Sequence, residues 1–247
     1  MPVKKLHVHI PLLVLLLAFC SCETESNEAG EDRPNILFIM TDDQSRKAVS
    51  AYEGSLNETP NIDRIAEEGA LFLNSFVANS ICNPSRASIL TGKHSHKNGV
   101  VGNASPWDNS QVQLPRLLQQ EGYTTALFGK WHLGDNVPYR PQDRGFETVV
   151  THGGGGISQV PDYWGNDYFD DTYFRNGEPE KFEGYCTDIW FAEALKFIEK
   201  NKETPFFCYI STNAPHSPFR VAEKYRKLYA GNSEIPNASF YGMITNI

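Results

Sequence analysis

Four short stretches of this chain hold side chains that can do chemistry. In Cys82-Asn83-Pro84-Ser85-Arg86 a thiol precedes a guanidinium by one helical turn, and Pro84 favours the opening of a helix there. Free backbone N–H groups and the positive dipole end at a helix N-terminus favour an anion. Arg86 adds a fixed fork of donors suited to a tetrahedral oxyanion. From these residues alone, Cys82 reads as a candidate low-pKa nucleophile. Asp42 and Asp43 supply adjacent carboxylates. Lys130 with His132, and His216 much further on, add a cation and two imidazoles that titrate near neutral pH and can give or take a proton.

Each cluster follows a stretch that reads as a strand. Residues 35–41 (NILFIMT) form a continuous apolar run ending at Asp42-Asp43, which predicts a strand buried on both faces, as in a parallel sheet. Residues 124–128 lead into Gly129-Lys130-Trp131-His132, and residues 205–212 (PFFCYIST) lead into Asn213-Ala214-Pro215-His216. Between them, Thr59-Pro60 opens a helix closed by Gly69, with Ile62, Ile65 and Ala66 on one face, and a second Pro-opened helix runs from Leu114 to Glu121. Residues 187–200 are amphipathic, with Trp190, Phe191, Ala194, Leu195 and Ile198 at helical spacing. This alternation predicts an α/β fold, a mostly parallel or mixed central sheet with helices on both faces. In such sheets the ligand crevice lies outside the carboxyl ends of the strands, so the distant clusters are expected to converge there. Residues 151–185, with four glycines and an aromatic, acidic run, are expected to be loop or a small excursion, and those glycines carry no phosphate-loop pattern.

Composition agrees with a globular chain: 247 residues, 40% hydrophobic and 21% charged, which excludes wholesale disorder, collagen-like repeats and a coiled coil. The net charge of −8 and the absence of a Lys/Arg-rich run leave no basis for a nucleic-acid groove. Five cysteines are too few for a disulfide scaffold.

The stretch from Cys82 through Ala87-Ser88-Ile89-Leu90-Thr91-Gly92 resembles the signature of the type I sulfatases, C-x-P-S-R-x-x-x-L-T-G, at every specified position. The Asp42-Asp43 pair, Gly129-Lys130-Trp131-His132-Leu133-Gly134, Arg144-Gly145-Phe146 and Ala214-Pro215-His216-Ser217-Pro218 are similar to that family's other motifs and follow in its order. The resemblance implies an alkaline-phosphatase-like sulfatase fold and sulfuric ester hydrolysis. It implies that a maturation enzyme oxidises Cys82 to formylglycine, whose hydrated aldehyde attacks sulfur with one hydroxyl and ejects sulfate by losing the proton of the other. It further implies a divalent metal, usually calcium, held by Asp42, Asp43 and position 82. Lys130 would bind a sulfate oxygen, His132 would serve the diol proton, and His216 would sit at the leaving-group oxygen as an acid. Substrates of this family include sulfated carbohydrates and aryl sulfates. The family pattern continues with a later Asp-Asn or Asp-His pair and a later Lys. Neither follows His216 here, so residues 34–247 are expected to be the N-terminal portion of such a domain.

Plainer readings accompany each residue. Paired aspartates after a strand also cap helices or make turns, and Lys-Trp-His could be a packed loop with solvated tips. A phosphonate or phosphate ester hydrolase of the same superfamily, and a non-catalytic protein that binds sulfated glycans, are the competing functions. His94 and His96 are weaker site candidates. Tyr163, Trp164, Tyr168 and Phe169 could stack on a sugar or simply pack. Cys186 and Cys208 could pair in an oxidising compartment, although Cys208 lies within an apolar run.

The first residues read as an address. Lys4 and Lys5, an apolar run to Cys20 and small residues after it form a secretory signal over residues 1–21. Cys22 after Ser21 resembles a lipoprotein attachment site, with plain cleavage near Ser21 as the alternative. Residues 22–33 are polar and acidic, as expected of a tether. Export to the periplasm or cell surface follows, with a lipid anchor if Cys22 is modified. Removing the leader deepens the net charge from −8 to −10, so an anion site must be built locally.

Overall fold

The computed structural model describes residues 33–52, 56–103, 105 and 107–247. The leader, Cys20, Cys22 and the tether as far as Asp32 lie outside the described residues.

Six strands form one sheet: β1 Ile36–Met40, β2 Thr124–Gly129, β3 Thr148–Thr151, β4 Thr172–Arg175, β5 Glu178–Lys181 and β6 Phe206–Ser211, in the spatial order β1-β6-β2-β3-β4-β5. The first four in that order run parallel, and β4 and β5 add an antiparallel hairpin. The helices are α1 Pro60–Glu68, α2 Cys82–Thr91, α3 Ser95–Asn98, α4 Leu114–Gln120, α5 Cys186–Asn201, α6 Glu223–Arg226 and α7 Ala238–Asn246.

The strand period of two divides the core between the two faces of the sheet. Ala126 and Phe128 of β2 join Cys208 and Ile210 of β6 in one cluster with Trp190, Ala194 and Phe197 of α5. Leu127, Phe207 and Tyr209 point the other way and pack with Ala87 and Leu90 of α2. Helices therefore cover both faces, and near-continuous apolar runs are what the two central strands require.

Several expectations need correction. Strand β1 is not buried on both faces: it is an edge strand, and Leu37 and Ile39 are 49% and 40% exposed, with Ile39 facing a cavity. The stretch 151–185 holds the β4–β5 hairpin, turned by Asn176 and Gly177, both at positive φ (49° and 95°), as a tight Asn-Gly turn demands. On α5 the buried stripe is Ile189, Trp190, Glu193, Ala194 and Phe197, while Leu195 is exposed. The α1 face carrying Ile62, Ile65 and Ala66 buries none of them. Cys186 and Cys208 are both buried and unpaired, so each behaves as a small apolar side chain. Among the described residues no helix is long and apolar enough to cross a membrane.

Candidate active site

The carboxyl ends of β1, β6 and β2 deliver the three polar clusters to one place. Asp42 follows β1, and its backbone N–H donates to Ala214 O at 3.0 Å, tying the β1 end to the loop that carries His216. Lys130 follows β2 and donates its backbone N–H to Ser211 O at 2.7 Å. This close approach of β2 to β6 requires Gly129, whose φ is 103° and where a Cβ would lie 2.1 Å from Ser211 O. The next turn is anchored by Trp131, which donates Nε1–H to Tyr139 O at 2.8 Å and stacks against Trp107.

Helix α2 begins at Cys82 itself, with Ile81 as N-cap and Pro84 in the first turn. The thiol thus stands at the positive end of the helix, half-buried, with Sγ 3.8 Å from Asp42 Oδ1. Ligand atoms of Asp42, Cys82 and His216 all lie within 4.8 Å of one another. Asp43 is mostly exposed, at a φ of 62°, with Oδ2 3.6 Å from His216 Nε2. Asp43 and His132, at a φ of 57°, both hold the left-handed region without being glycine, a cost that such sites tolerate when the surroundings enforce it.

Lys130 and Asp42 form a buried pair at 2.5 Å, and Arg86 lies 3.6 Å from the same carboxylate. Burial alone would raise the Asp42 carboxyl, but the Arg86 and Lys130 charges outweigh it and hold the group below the usual carboxylate range. Arg86 does not present an open fork to a ligand. Nη1 donates to Lys130 O at 3.0 Å and to Ser211 Oγ at 2.5 Å, so Arg86 ties α2 to the ends of β2 and β6. The two histidines are driven in opposite directions. Desolvation, helped by the Lys130 and Arg86 charges, pushes His132 down to about 4, leaving it neutral at pH 7. A hydrogen bond with Cys82 raises His216 above its ordinary value.

Four of the predicted residues, Cys82, Arg86, Lys130 and His216, gather around Asp42, with Asp43 at the solvent edge beside His216. His132 packs beside them on Gly155. His94 and His96 do not join the site: both are exposed and stack on each other with ring centroids 5.8 Å apart. Tyr168 is buried and Trp164 is 95% exposed, so of that aromatic run only Trp164 and the partly exposed Tyr163 and Phe169 remain open to a ligand. Sequence reading missed Ser211, Asn213 and Gly155. Asn213 Oδ1 accepts the Trp190 indole N–H at 3.0 Å and so fixes the start of the His216 loop. Only the Asn213 and Gly155 positions, each beside a recognised motif or glycine run, carried any local signal.

The donors that gather are the Asp42 carboxylate, position 82 and the His216 imidazole, with Lys130 and Arg86 against the same carboxylate and the Asp43 carboxylate at the edge beside His216; carboxylate oxygens there suit a hard cation. This is an α/β site built at the carboxyl ends of parallel strands. The Sulfatase family model matches residues 34–239, and the chain belongs to that family.

It is 39% identical over 221 residues to the N-acetylglucosamine-6-O-sulfatase of Bacteroides thetaiotaomicron, covering 89% of this chain and 37% of that protein. A structure solved in complex with its substrate D-glucosamine-2-N,6-O-disulfate superposes with a TM-score of 0.70 at 40% identity, over 83% of this chain and 39% of that one. The crystal structure of Ps i-CgsB in complex with k-i-k-neocarrahexaose has a TM-score of 0.77 at 28% identity, over 86% and 52% of the two chains. This chain therefore spans between about two-fifths and one-half of the length of these three relatives.

Proposed function

We propose that this protein hydrolyses sulfate esters of sulfated carbohydrates, using Cys82 after its conversion to formylglycine by a maturation enzyme. The observation that carries this reading is the convergence of Asp42, Cys82, Lys130 and His216 at the carboxyl ends of β1, β2 and β6 within a chain of the sulfatase family. The substrates named for its relatives, a 6-O-sulfated amino sugar among them, support a glycan as the ester's alcohol.

Asp42 and Asp43 would hold a divalent cation, calcium by preference of its oxygen donors. Bound there, the cation supplies Lewis acidity and neutralises sulfate charge. The hydrated aldehyde of formylglycine would supply paired hydroxyls, one to attack sulfur and one whose deprotonation would re-form the aldehyde as the carbon–oxygen bond to sulfate breaks. The chain's own residues set the remaining conditions. Lys130, closed off from solvent and already against Asp42, holds positive charge where a sulfate oxygen docks. His132 is neutral at pH 7 and so accepts a proton. His216, with Nε2 3.6 Å from Asp43 Oδ2 and beside position 82, supplies an imidazole that can act as an acid at the leaving oxygen. Arg86 keeps the strand ends in register around them.

Export belongs to the same proposal, supported by the Lys4-Lys5 and apolar leader, with Cys22 as the lipidated residue of a membrane-anchored enzyme. The test is expression with and without a formylglycine-generating enzyme, followed by mass spectrometry of the Cys82 peptide and assay on an aryl sulfate. Turnover should track the aldehyde fraction. Full activity with an unmodified thiol would sink the mechanism.

A further inference from the structure

The His132 imidazole is held without a hydrogen bond of its own at Nδ1. Its backbone sits at a φ of 57°, and Nδ1 is buried with no partner among the described residues. The ring lies against Gly155, where a Cβ would come within 2.7 Å of Nε2 and 2.9 Å of Cε1. A histidine base is ordinarily oriented by a hydrogen bond from its second ring nitrogen. Here packing against the backbone of one glycine takes that part, so whatever fixes Gly155 fixes the imidazole.

Two carboxylates hold the residues just before it. Asp162 Oδ1 accepts the Gly153 N–H at 3.0 Å, and Asp135 Oδ1 accepts the Gly154 N–H at 2.9 Å. Asp135 belongs to the turn that carries His132, whereas Asp162 reaches back from the far end of the loop. Asp162 Oδ2 also accepts the Ser158 N–H at 2.9 Å and a hydrogen bond from Asn166 Nδ2 at 3.2 Å. Inside the loop, the Gln159 N–H donates to Gly156 O at 3.1 Å and the Asp162 N–H to Gln159 O at 2.7 Å. Half-buried Asp162 thus closes residues 153–162 on themselves. The fit is backbone on backbone: a Cβ on Gly153 would lie 2.9 Å from Pro161 O, and one on Gly154 2.9 Å from Pro161 Cδ. Only glycine fits so closely, and a glycine run carries the largest backbone freedom. Its order therefore depends on the carboxylate that closes it.

We infer that Asp162 is a positioning residue for His132: by closing the 153–162 loop it presses Gly155 against the imidazole and holds the ring at the angle from which it accepts a proton. Asp162 acts through the glycine run and not by contact with the ester. This rests on the reading of His132 as the proton acceptor in sulfate-ester hydrolysis. An imidazole free to swing loses the alignment that a proton transfer needs, which lowers the chemical step more than it lowers substrate binding.

The test compares the full matured chain with Asp162→Ala, which removes both acceptors, and with Asp162→Asn, which keeps one. Asp63→Ala is the control, since Asp63 accepts the Ala51 N–H at 2.9 Å and bonds nothing in the glycine run. On an aryl sulfate, Asp162→Ala should lower kcat by roughly ten- to a hundredfold with KM changed by less than about threefold. Asp162→Asn should show a smaller change in the same direction, and it carries the test if the alanine variant fails to fold. A second measurement needs no turnover: carbethoxylation by diethyl pyrocarbonate, followed by mass spectrometry of the histidine peptides. In the unsubstituted chain His132 should react more slowly than the exposed His94 and His96, and in Asp162→Ala it should lose that protection. A change in KM with kcat unmoved, equal changes in Asp63→Ala, or His132 still protected in the Asp162 variants overturns the inference. Absence of turnover by the matured, unsubstituted chain removes the hydrolase reading alone, and carbethoxylation then still decides whether Asp162 holds the imidazole.

Discussion

The Lys130 ammonium and the Asp42 carboxylate meet at 2.5 Å with both side chains almost wholly removed from solvent. Each therefore depends on the other, since a buried ion without its partner carries an uncompensated desolvation cost. Asp42→Asn should destabilise the fold by about 3–5 kcal/mol by leaving Lys130 and Arg86 buried without their counter-charge. Asp43 is mostly exposed, and asparagine tolerates its left-handed backbone, so Asp43→Asn should change stability by less than about 1 kcal/mol. Both should lower aryl sulfate turnover, roughly a hundredfold or more. Urea denaturation beside steady-state kinetics separates the two, and equal stability loss in both variants would count against the buried-pair account.

Gly155 lies directly against the His132 ring, where a Cβ would sit 2.7 Å from Nε2 and 2.9 Å from Cε1. Gly155→Ala should displace the imidazole and reduce turnover by roughly a hundredfold, the scale of an ångström-sized misplacement. Gly156→Ala meets only the movable end of Gln159 and serves as the control. Similar kinetics in both variants would remove the positioning role.

His152 is fully buried, sharing a hydrogen bond between Nδ1 and Gly153 O at 2.8 Å, with no partner for Nε2 among the described residues. Burial pushes it from 6.5 down to about 3, so the folded state holds it neutral. Its contribution to stability is complete above pH 6.5 and is lost as pH falls from 6.5 toward 3, because the unfolded chain takes up the proton first. Between pH 6.5 and 4 that loss should be on the order of 3 kcal/mol. His132 titrates in part of the same window, whereas Asp42 acts only below its ordinary 3.8. The readout is therefore the difference between the unsubstituted chain and His152→Gln, whose unfolding midpoint should depend less on pH across this range. Parallel pH dependences would contradict it.

Trp190 donates its indole N–H to Asn213 Oδ1 inside the core. Trp190→Phe keeps much of the apolar volume but leaves that acceptor unpaired, a loss of about 1–3 kcal/mol. Because Asn213 begins the loop whose Ala214 O binds the Asp42 N–H, the KM for an aryl sulfate should rise as well. Lower stability with unchanged kinetics would confine Trp190 to packing.

Much of the frame was legible along the chain. The runs at residues 35–41, 124–128 and 205–212 each became a strand within a residue or two; for β2 and β6 the reason is that a strand buried between two layers must be apolar throughout. The Asn176-Gly177 turn was present as a signal and went unread, since the glycine and aromatic content around it pointed to loop. The exposed face of β1 could not be read, because an apolar run looks the same whether or not the fold covers it.

The sequence by itself determined which residue types stand where chemistry is possible: a thiol and guanidinium one turn apart, paired aspartates, and lysine and histidines after apolar runs. Those are local patterns of spacing. The tertiary structure alone decided that β6, last of the strands in the chain, lies between β1 and β2, which brings His216 to Asp42 and Cys82. It also turned Arg86 inward to Ser211 and Lys130 and set Gly155 under His132. Strand order and burial arise from contacts between residues far apart in the chain, and no local period records them.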